Sequence, residues 1–172
     1  MENIQIKIKN IDGPINIDKF VLSNGSIRNI LSGAYDFHLK KLKSVYKILL
    51  DDKTIGYYII SIKTINTTYN RYNFEDDEEY PIIYLDILCI DDRYQGKGIG
   101  TAILKTIIAI ARKISDQVGC RFIILDALKE KKQWYLARGF DLLENGENDK
   151  PTITMGIDFI DLDKINDYIS NP

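Results

Sequence analysis

The residues best placed to do chemistry lie in Arg93-Tyr94-Gln95-Gly96-Lys97-Gly98-Ile99-Gly100-Thr101, where three glycines alternate between a strand-like run and a helix-like one. Backbone N–H groups in such a turn can approach a polyphosphate closely, and the start of the helix adds donors and positive potential. The segment reads as an anion cradle, with a plain glycine-rich turn as the alternative. It is not a Walker loop, because G-x-x-x-x-G-K-[ST] is absent, and it is not a dinucleotide fingerprint, because the glycine after Gly96-x-Gly98 falls at the wrong offset.

Other chemistries find little support. His38 is the one histidine, so a histidine-dependent triad would have to be built on it, and it sits in a helical run with no motif around it. Zinc would require Cys89, Cys120, His38 and a carboxylate to converge without any close-spaced ligand pair, and no metal is expected. Cys89 precedes the cradle and could touch an acyl group, but a small buried thiol is the simpler role.

A cradle needs a strand to deliver it and a helix to leave it. Pro81–Ile90 reads as the strand, and Thr101–Val118 carries Ile103, Leu104, Ile107, Ile108, Ala111 and Ile114 at helical spacing. Upstream, Glu2–Lys9 alternates isoleucine with polar residues as a half-buried strand and ends at the turn signal Asp12-Gly13-Pro14. Ser26–Lys43 reads as one helix capped by Ser26. Ser44–Leu50 and Thr54–Ile65 form a hairpin through Asp51-Asp52-Lys53, and Asn66–Glu79 follows as an acidic loop. Downstream come a strand at Cys120–Leu125, a short helix at Lys129–Arg138, strands at Phe140–Leu143 and Thr152–Phe159, and a terminal helix at Asp161–Ile169. This order predicts an α/β fold (α+β mixed) around one sheet, with no domain boundary between residues 1 and 172.

Gln95-x-x-Gly98-x-Gly100 after a strand resembles the acyl-CoA motif of the GNAT acetyltransferase superfamily. Tyr135-Leu136-Ala137-Arg138-Gly139-Phe140 resembles that superfamily's Tyr-x-x-x-Gly-Phe element, in the same order along the chain. The resemblance implies a central, mostly antiparallel sheet flanked by helices, acetyl-CoA as co-substrate, and direct attack of a primary amine on the thioester in a ternary complex. It implies that backbone groups of Leu88, Cys89 and Ile90 face the pantetheine and thioester. Gly96, Lys97, Gly98, Ile99, Gly100 and Thr101 would hold the pyrophosphate, Gln95 would belong to the same cofactor-binding motif, and Tyr135 would lie near the sulfur. Amine attack builds negative charge first on the carbonyl oxygen, which the Ile90 N–H can stabilise, and then on the departing sulfur, which the Tyr135 phenol can protonate. Asp86, on the strand before the cradle, is the expected general base, with Asp126 and bulk water as alternatives. Leu128 and Lys131 stand where many members carry Asn and Ala, so an asparagine contact to CoA is not expected.

The acceptor is less legible. Phe20–Gly25, Lys53–Tyr58 and Val118–Ile123 resemble the toxin-type branch of the superfamily, which acetylates aminoacyl-tRNA and is neutralised by an antitoxin. Against a tRNA acceptor stands the charge. The 172-residue chain is net −2, and residues 51–92 hold ten acidic and three basic side chains. Residues 93–138 invert that balance, with three acidic and ten basic. A basic stretch can steer an anion even in an acidic protein, but a long polyanion also meets the acidic neighbour. The sequence therefore ranks a small or protein amine first, a tRNA second, and a non-catalytic acyl-CoA-binding module third, with a homodimer possible. The 45% apolar and 28% charged composition excludes disorder, and the alternating Met1–Asn10 is not a secretory leader. Two cysteines among apolar neighbours suit a reducing cytoplasm, and no run is apolar enough to span a bilayer.

Overall fold

The computed structural model of the chain describes residues 5–66, 79–143 and 149–161. Its backbone divides into two units, Met1–Ser61 with Asp86–Leu104, and Ile62–Leu85 with Lys105–Pro172. Strands β3 (Lys53–Asn66) and β4 (Glu79–Ile90) and helix α3 (Ile99–Val118) each continue from one unit into the other. The strands form a seven-stranded, mostly antiparallel sheet in the order β1-β2-β3-β4-β5-β7-β6, the mixed α/β architecture expected from the sequence.

In the first unit, β1 (Ile6–Asn10) pairs antiparallel with β2 (Ser44–Leu50), from Ile6 opposite Leu50 to Asn10 opposite Tyr46. β2 then pairs antiparallel with β3, from Ser44 opposite Ile60 to Leu50 opposite Lys53. The predicted hairpin turns on Asp51 and Asp52, both left-handed at φ 48° and 61°. That is the conformation a two-residue hairpin demands, and aspartate tolerates it better than most residues. Against this sheet pack α1 (Gly25–Ser32) and α2 (Ala34–Leu39), which bury Leu31 and Ala34 with Phe20, Val45, Ile59, Ile87 and Cys89.

Those two helices correct the single Ser26–Lys43 helix. Asn24, not Ser26, is the cap, its side-chain oxygen accepting the Ile27 N–H at 3.1 Å. Asn outranks most residues at that position, and in Asn24-Gly25-Ser26 it lies three residues ahead of the first apolar helical position, Ile27. The run then breaks at Gly33, which caps α1 by donating its N–H to Leu31 O and begins α2 without a side-chain cap. A glycine there lowers helix propensity where two apolar faces need different directions.

In the second unit, the first half of β4 pairs parallel with β5 (Phe122–Leu128), from Ile82 opposite Phe122 to Tyr84 opposite Ile124. β5 pairs antiparallel with β7 (Thr152–Asp158), and β7 with the short β6 (Asp141–Leu142). Ile82, Phe122, Ile124 and Leu143 form a core, partly covered by Ile65, Tyr80 and Tyr84. β5 begins later than predicted and runs to Leu128, because the exposed Asp126 continues the alternation of a strand rather than ending it. The short helix predicted over Lys129–Arg138 is a 3-10 turn at Lys129–Lys131 followed by α4 (Lys132–Leu136). The expected loop 66–79 and terminal helix 161–169 fall, apart from their end residues, outside the described residues. No helix among the described residues is long and apolar enough to cross a membrane.

Candidate active site

β4 ends at Ile90, and two aspartates fix how the chain leaves it. Asp91 is 1% exposed, and its N–H donates to Ile55 O at 2.8 Å. Its carboxylate accepts the N–H groups of Val21 at 3.2 Å and Arg93 at 3.0 Å, and it is paired with the Arg93 guanidinium. Asp92 accepts the Ser23 N–H at 2.9 Å, the Ser23 hydroxyl, and the Gln95 side-chain amide at 2.8 Å. The same Gln95 amide donates to Ile90 O at 2.9 Å, so this side chain staples the loop to the end of its strand.

Beyond that staple, Gly96 and Gly98 are left-handed, at φ 73° and 77°. No heavy atom lies within 4 Å of where either Cβ would stand, so backbone conformation and not space calls for glycine. Gly98 O accepts the Ala102 N–H at 3.1 Å, which starts α3 at once and puts the N–H groups of Ile99 and Gly100 in its first turn. First-turn N–H groups have no intrahelical acceptor, and the helix dipole adds positive potential there. Residues 96–98 are exposed, and the ammonium groups of Lys97 and Lys53 each stand 5.4 Å from the Tyr94 ring centroid. The predicted cradle is thus an open turn of left-handed glycines on a twenty-residue helix, with two cations beside it.

The loop depends on an ionised Asp91. The Arg93 guanidinium bonded to it, with N–H groups of Arg93 and Val21, holds its carboxyl down at about 2, against an ordinary 3.8. A carboxyl lowered on folding stabilises the folded state above its unfolded value and loses that contribution as pH falls toward its folded one. The difference amounts to about 2 kcal/mol at neutral pH. Asp91→Asn should therefore lower stability in denaturant by about that much near neutrality, with the gap to the parent narrowing between pH 3.8 and about 2. A gap unchanged by acid would show that Asp91 does not carry the pairing.

Upstream on β4, Asp86 is held by Lys43 and Ser61. It pairs with the Lys43 ammonium and accepts the Ser61 hydroxyl at 2.6 Å, leaving its side chain 8% exposed. Leu88, Cys89 and Ile90 complete the strand. β3 approaches it closely at Gly56, where a Cβ would fall 2.5 Å from Cys89 O. The Cys89 thiol donates to Tyr57 O at 3.5 Å, and burial pushes it up to about 12, so it is a neutral packing group. His38 accepts the Val45 N–H on Nδ1 at 3.2 Å, a structural contact that ties α2 to β2.

The second unit positions Tyr135 and Asp126. Tyr135 lies on α4, its ring edge-on to Trp134 at 4.8 Å and to Phe140 at 5.4 Å. Gly139, left-handed at φ 82°, ends the helix: its N–H donates to Leu136 O at 3.2 Å and the Phe140 N–H reaches back to Tyr135 O at 3.2 Å. This is a Schellman stop, and its apolar contact is the Tyr135–Phe140 pair itself. Spacing in Tyr-x-x-x-Gly-Phe is therefore set by helix termination, which locks the tyrosine ring. Burial raises the phenol to about 12 and keeps it protonated at neutral pH. Asp126 accepts hydroxyl bonds from Tyr84 and, at 2.8 Å, from Thr154. Among the described residues no group of His, Cys, Asp and Glu side chains could hold a metal ion.

Residues 42–142 match the model of the acetyltransferase (GNAT) domain. The chain belongs to the GNAT acetyltransferase family. A tRNA-acetylating toxin of Mycobacterium tuberculosis (strain ATCC 25618 / H37Rv) is 25% identical over 95 residues, 54% of this chain and 57% of that protein. The chain thus aligns with little more than half the length of this curated relative. Among solved structures, a bacterial toxin superposes with a TM-score of 0.80 at 14% identity, over 98% of this chain and 97% of the other. A variant of the toxin AtaT bound to the C-terminus of the antitoxin AtaR and acetyl-CoA superposes with a TM-score of 0.75 at 17% identity, over 97% and 99%. At these identities the structures establish the GNAT fold.

Within that fold, the first unit carries Asp86, Leu88–Ile90 and the cradle on one continuous strand, turn and helix, and the second carries Tyr135 and Asp126. The sequence reading missed the residues that brace these groups: Asp91, Asp92 and Ser23 around the turn, and Lys43 and Ser61 around Asp86. Asp91-x-Arg93 was visible as a capping pattern at a strand end. Ser23, Lys43 and Ser61 act across long sequence separations and left no local signal.

Proposed function

We propose that this protein is an acetyl-CoA-dependent N-acetyltransferase whose acceptor is the amino group of an aminoacyl-tRNA. Membership of the GNAT family supports the chemistry, and the match to a tRNA-acetylating toxin supports the acceptor. That match reverses the order the charge pattern suggests. When bound, acetyl-CoA supplies the acetyl thioester.

The chain's own groups divide the remaining work. The cradle from Gly96 to Thr101 binds the pyrophosphate, and the Ile90 N–H steadies negative charge on the carbonyl oxygen as the amine nitrogen bonds to the carbonyl carbon. The carbon–sulfur bond then breaks, and Tyr135 gives its proton to the sulfur and recovers one from solvent. Asp86 is proposed to take the proton the amine loses. Asp86 is already paired with the Lys43 ammonium, so that role requires the incoming amine to compete with Lys43 for the carboxylate. Residues 51–92, net acidic by seven, favour a second reading in which the acceptor is a small or protein amine.

Thiol release from acetyl-CoA, measured against aminoacyl-tRNA and a panel of amines, decides between them. We expect release with aminoacyl-tRNA, tRNA binding that weakens steeply with salt as phosphate counterions are displaced, and growth arrest on expression that Tyr135→Phe relieves. Release with small or protein amines alone would reinstate the second reading. Acetyl-CoA binding with no release for any acceptor would reduce the protein to a binding module.

A further inference from the structure

Lys43 is an amine already held at the carboxylate proposed as base. Its ammonium stands 2.5 Å from Asp86 Oδ1, and the Ser61 hydroxyl fixes the other carboxylate oxygen at 2.6 Å. The backbone that presents Lys43 is a second Schellman stop. The Lys41 N–H donates to His38 O at 3.1 Å and the Leu42 N–H to Phe37 O at 3.0 Å, which ends α2 with Lys41 left-handed at φ 58°. A lysine there costs about 1–2 kcal/mol that a glycine would not, so the surrounding structure imposes this turn. The Lys43 ammonium also stands 5.5 Å from the Phe37 ring centroid, so it meets both a carboxylate and an aromatic ring. Lys7 and Lys47 pair with aspartates too, but the side chains of Asp52 and Asp12 are 75% and 83% exposed, against 8% for Asp86. Lys43 keeps 25% of its own side chain open to solvent, so the pair is ordered while the amine stays accessible.

We propose that Lys43 is a self-acetylation site, its Nζ taking the acetyl group of acetyl-CoA bound to the same chain when no acceptor is present. The inference rests on the acetyltransferase reading and on the thioester lying along Leu88–Ile90. Leu88 is two residues beyond Asp86, about 7 Å along the strand, and the Lys43 ammonium sits on a flexible four-carbon stem. An amine held at a base beside the thioester gains from proximity as a bound acceptor does. Asp86 takes one ammonium proton and passes it to solvent. The freed nitrogen bonds to the carbonyl carbon and gives up a second proton, and the carbon–sulfur bond breaks as the sulfur takes one up. The products are an acetamide at Lys43, the CoA thiol and one proton. The acetylated side chain is neutral, so its ion pair with Asp86 is lost, and an incoming amine no longer competes with a Lys43 charge for the carboxylate.

The test incubates the full chain, without acceptor, with acetyl-CoA deuterated in its acetyl group, and maps the label by peptide mass spectrometry. Lys43 should gain one labelled acetyl group at a rate independent of protein concentration and about tenfold or more above its exposed neighbours Lys40 and Lys41. Unfolding in urea should bring the three lysines to one rate. Asp86→Asn keeps an oxygen for the Ser61 hydroxyl and should bring Lys43 down to the rate of Lys40 and Lys41, whose own labelling stays unchanged. Lys43→Arg keeps a cation for Asp86 and should remove all label gained above the level of those neighbours. Thiol release with aminoacyl-tRNA and with other amines, run on the same preparation, separates two failures. An acetylated acceptor with Lys43 labelled no faster than Lys40 and Lys41 overturns this proposal alone; no transfer to Lys43 or to any acceptor overturns the acetyltransferase reading with it. Undiminished labelling of Lys43 in a folded Asp86→Asn variant, or a rate that rises with protein concentration, would also overturn the proposal.

Discussion

Gly98→Val is expected to lower acetyl-CoA affinity about a hundredfold in a protein that still folds. At φ 77° Gly98 occupies the left-handed region, and a β-branched residue held there costs about 1–3 kcal/mol of strain. The space around Gly98 is open, with nothing within 4 Å of a Cβ, so the loop can relieve that strain by turning out of the left-handed conformation without unfolding the core. Relief at this position rotates the N–H groups that start α3, so the loss appears in anion binding more than in stability. Near the upper end of that range, strain converts to about a hundredfold in affinity. Gly13→Val, at a glycine equally unobstructed and without a left-handed φ, should leave affinity unchanged and serve as control. Calorimetric titration with acetyl-CoA is the measurement, and unchanged affinity in a folded Gly98→Val variant would remove the cradle from phosphate binding.

What the sequence could and could not reveal follows from the range of each interaction. The glycine turn, the long amphipathic helix and the Tyr-x-x-x-Gly-Phe stop were legible because each is specified within a few residues. Left-handed Gly98 and Gly139 act on their own backbone, and Tyr135 meets Phe140 one helix turn away. The Asp51-Asp52 hairpin was legible for the same reason. The split into α1 and α2 was not, because Ile27, Leu31, Ala34 and Tyr35 keep one periodicity through Gly33, and only packing on the sheet shows the break. Nor could sequence show that Asp86 is tied to Lys43 and Ser61, 43 and 25 residues away. The carboxylates show the cost most plainly. Asp86 and Asp126 both stand on strands as candidate bases, yet one is buried against an ammonium while the other is held by two hydroxyls with no cation partner among the described residues. Their different surroundings follow from partners that only the fold supplies.

Tyr135→Phe should lower turnover about a hundredfold while leaving acetyl-CoA affinity unchanged. The substitution keeps the ring, and with it the edge-on contacts to Trp134 at 4.8 Å and Phe140 at 5.4 Å that close α4, so the fold has no reason to change. Only the hydroxyl proton is lost. Burial lifts that phenol to about 12, which keeps it in the donor form across the neutral range and withdraws the donor only as pH rises toward that value. The parent rate should therefore show no alkaline fall from this group near neutrality. General-acid contributions run from about 10² to 10⁴, and the low end applies because a thiolate is already a fair leaving group. The loss should fall on kcat and not on KM for acetyl-CoA, since a donor used only as the carbon–sulfur bond breaks does not strengthen ground-state binding. Asp86→Asn, run in the same assay, should instead lower kcat/KM for the amine acceptor, which separates the residue that meets the amine from the one that meets the sulfur. A Tyr135→Phe enzyme with full kcat, under conditions where chemistry limits turnover, would take Tyr135 out of the mechanism and leave the sulfur to be protonated by solvent.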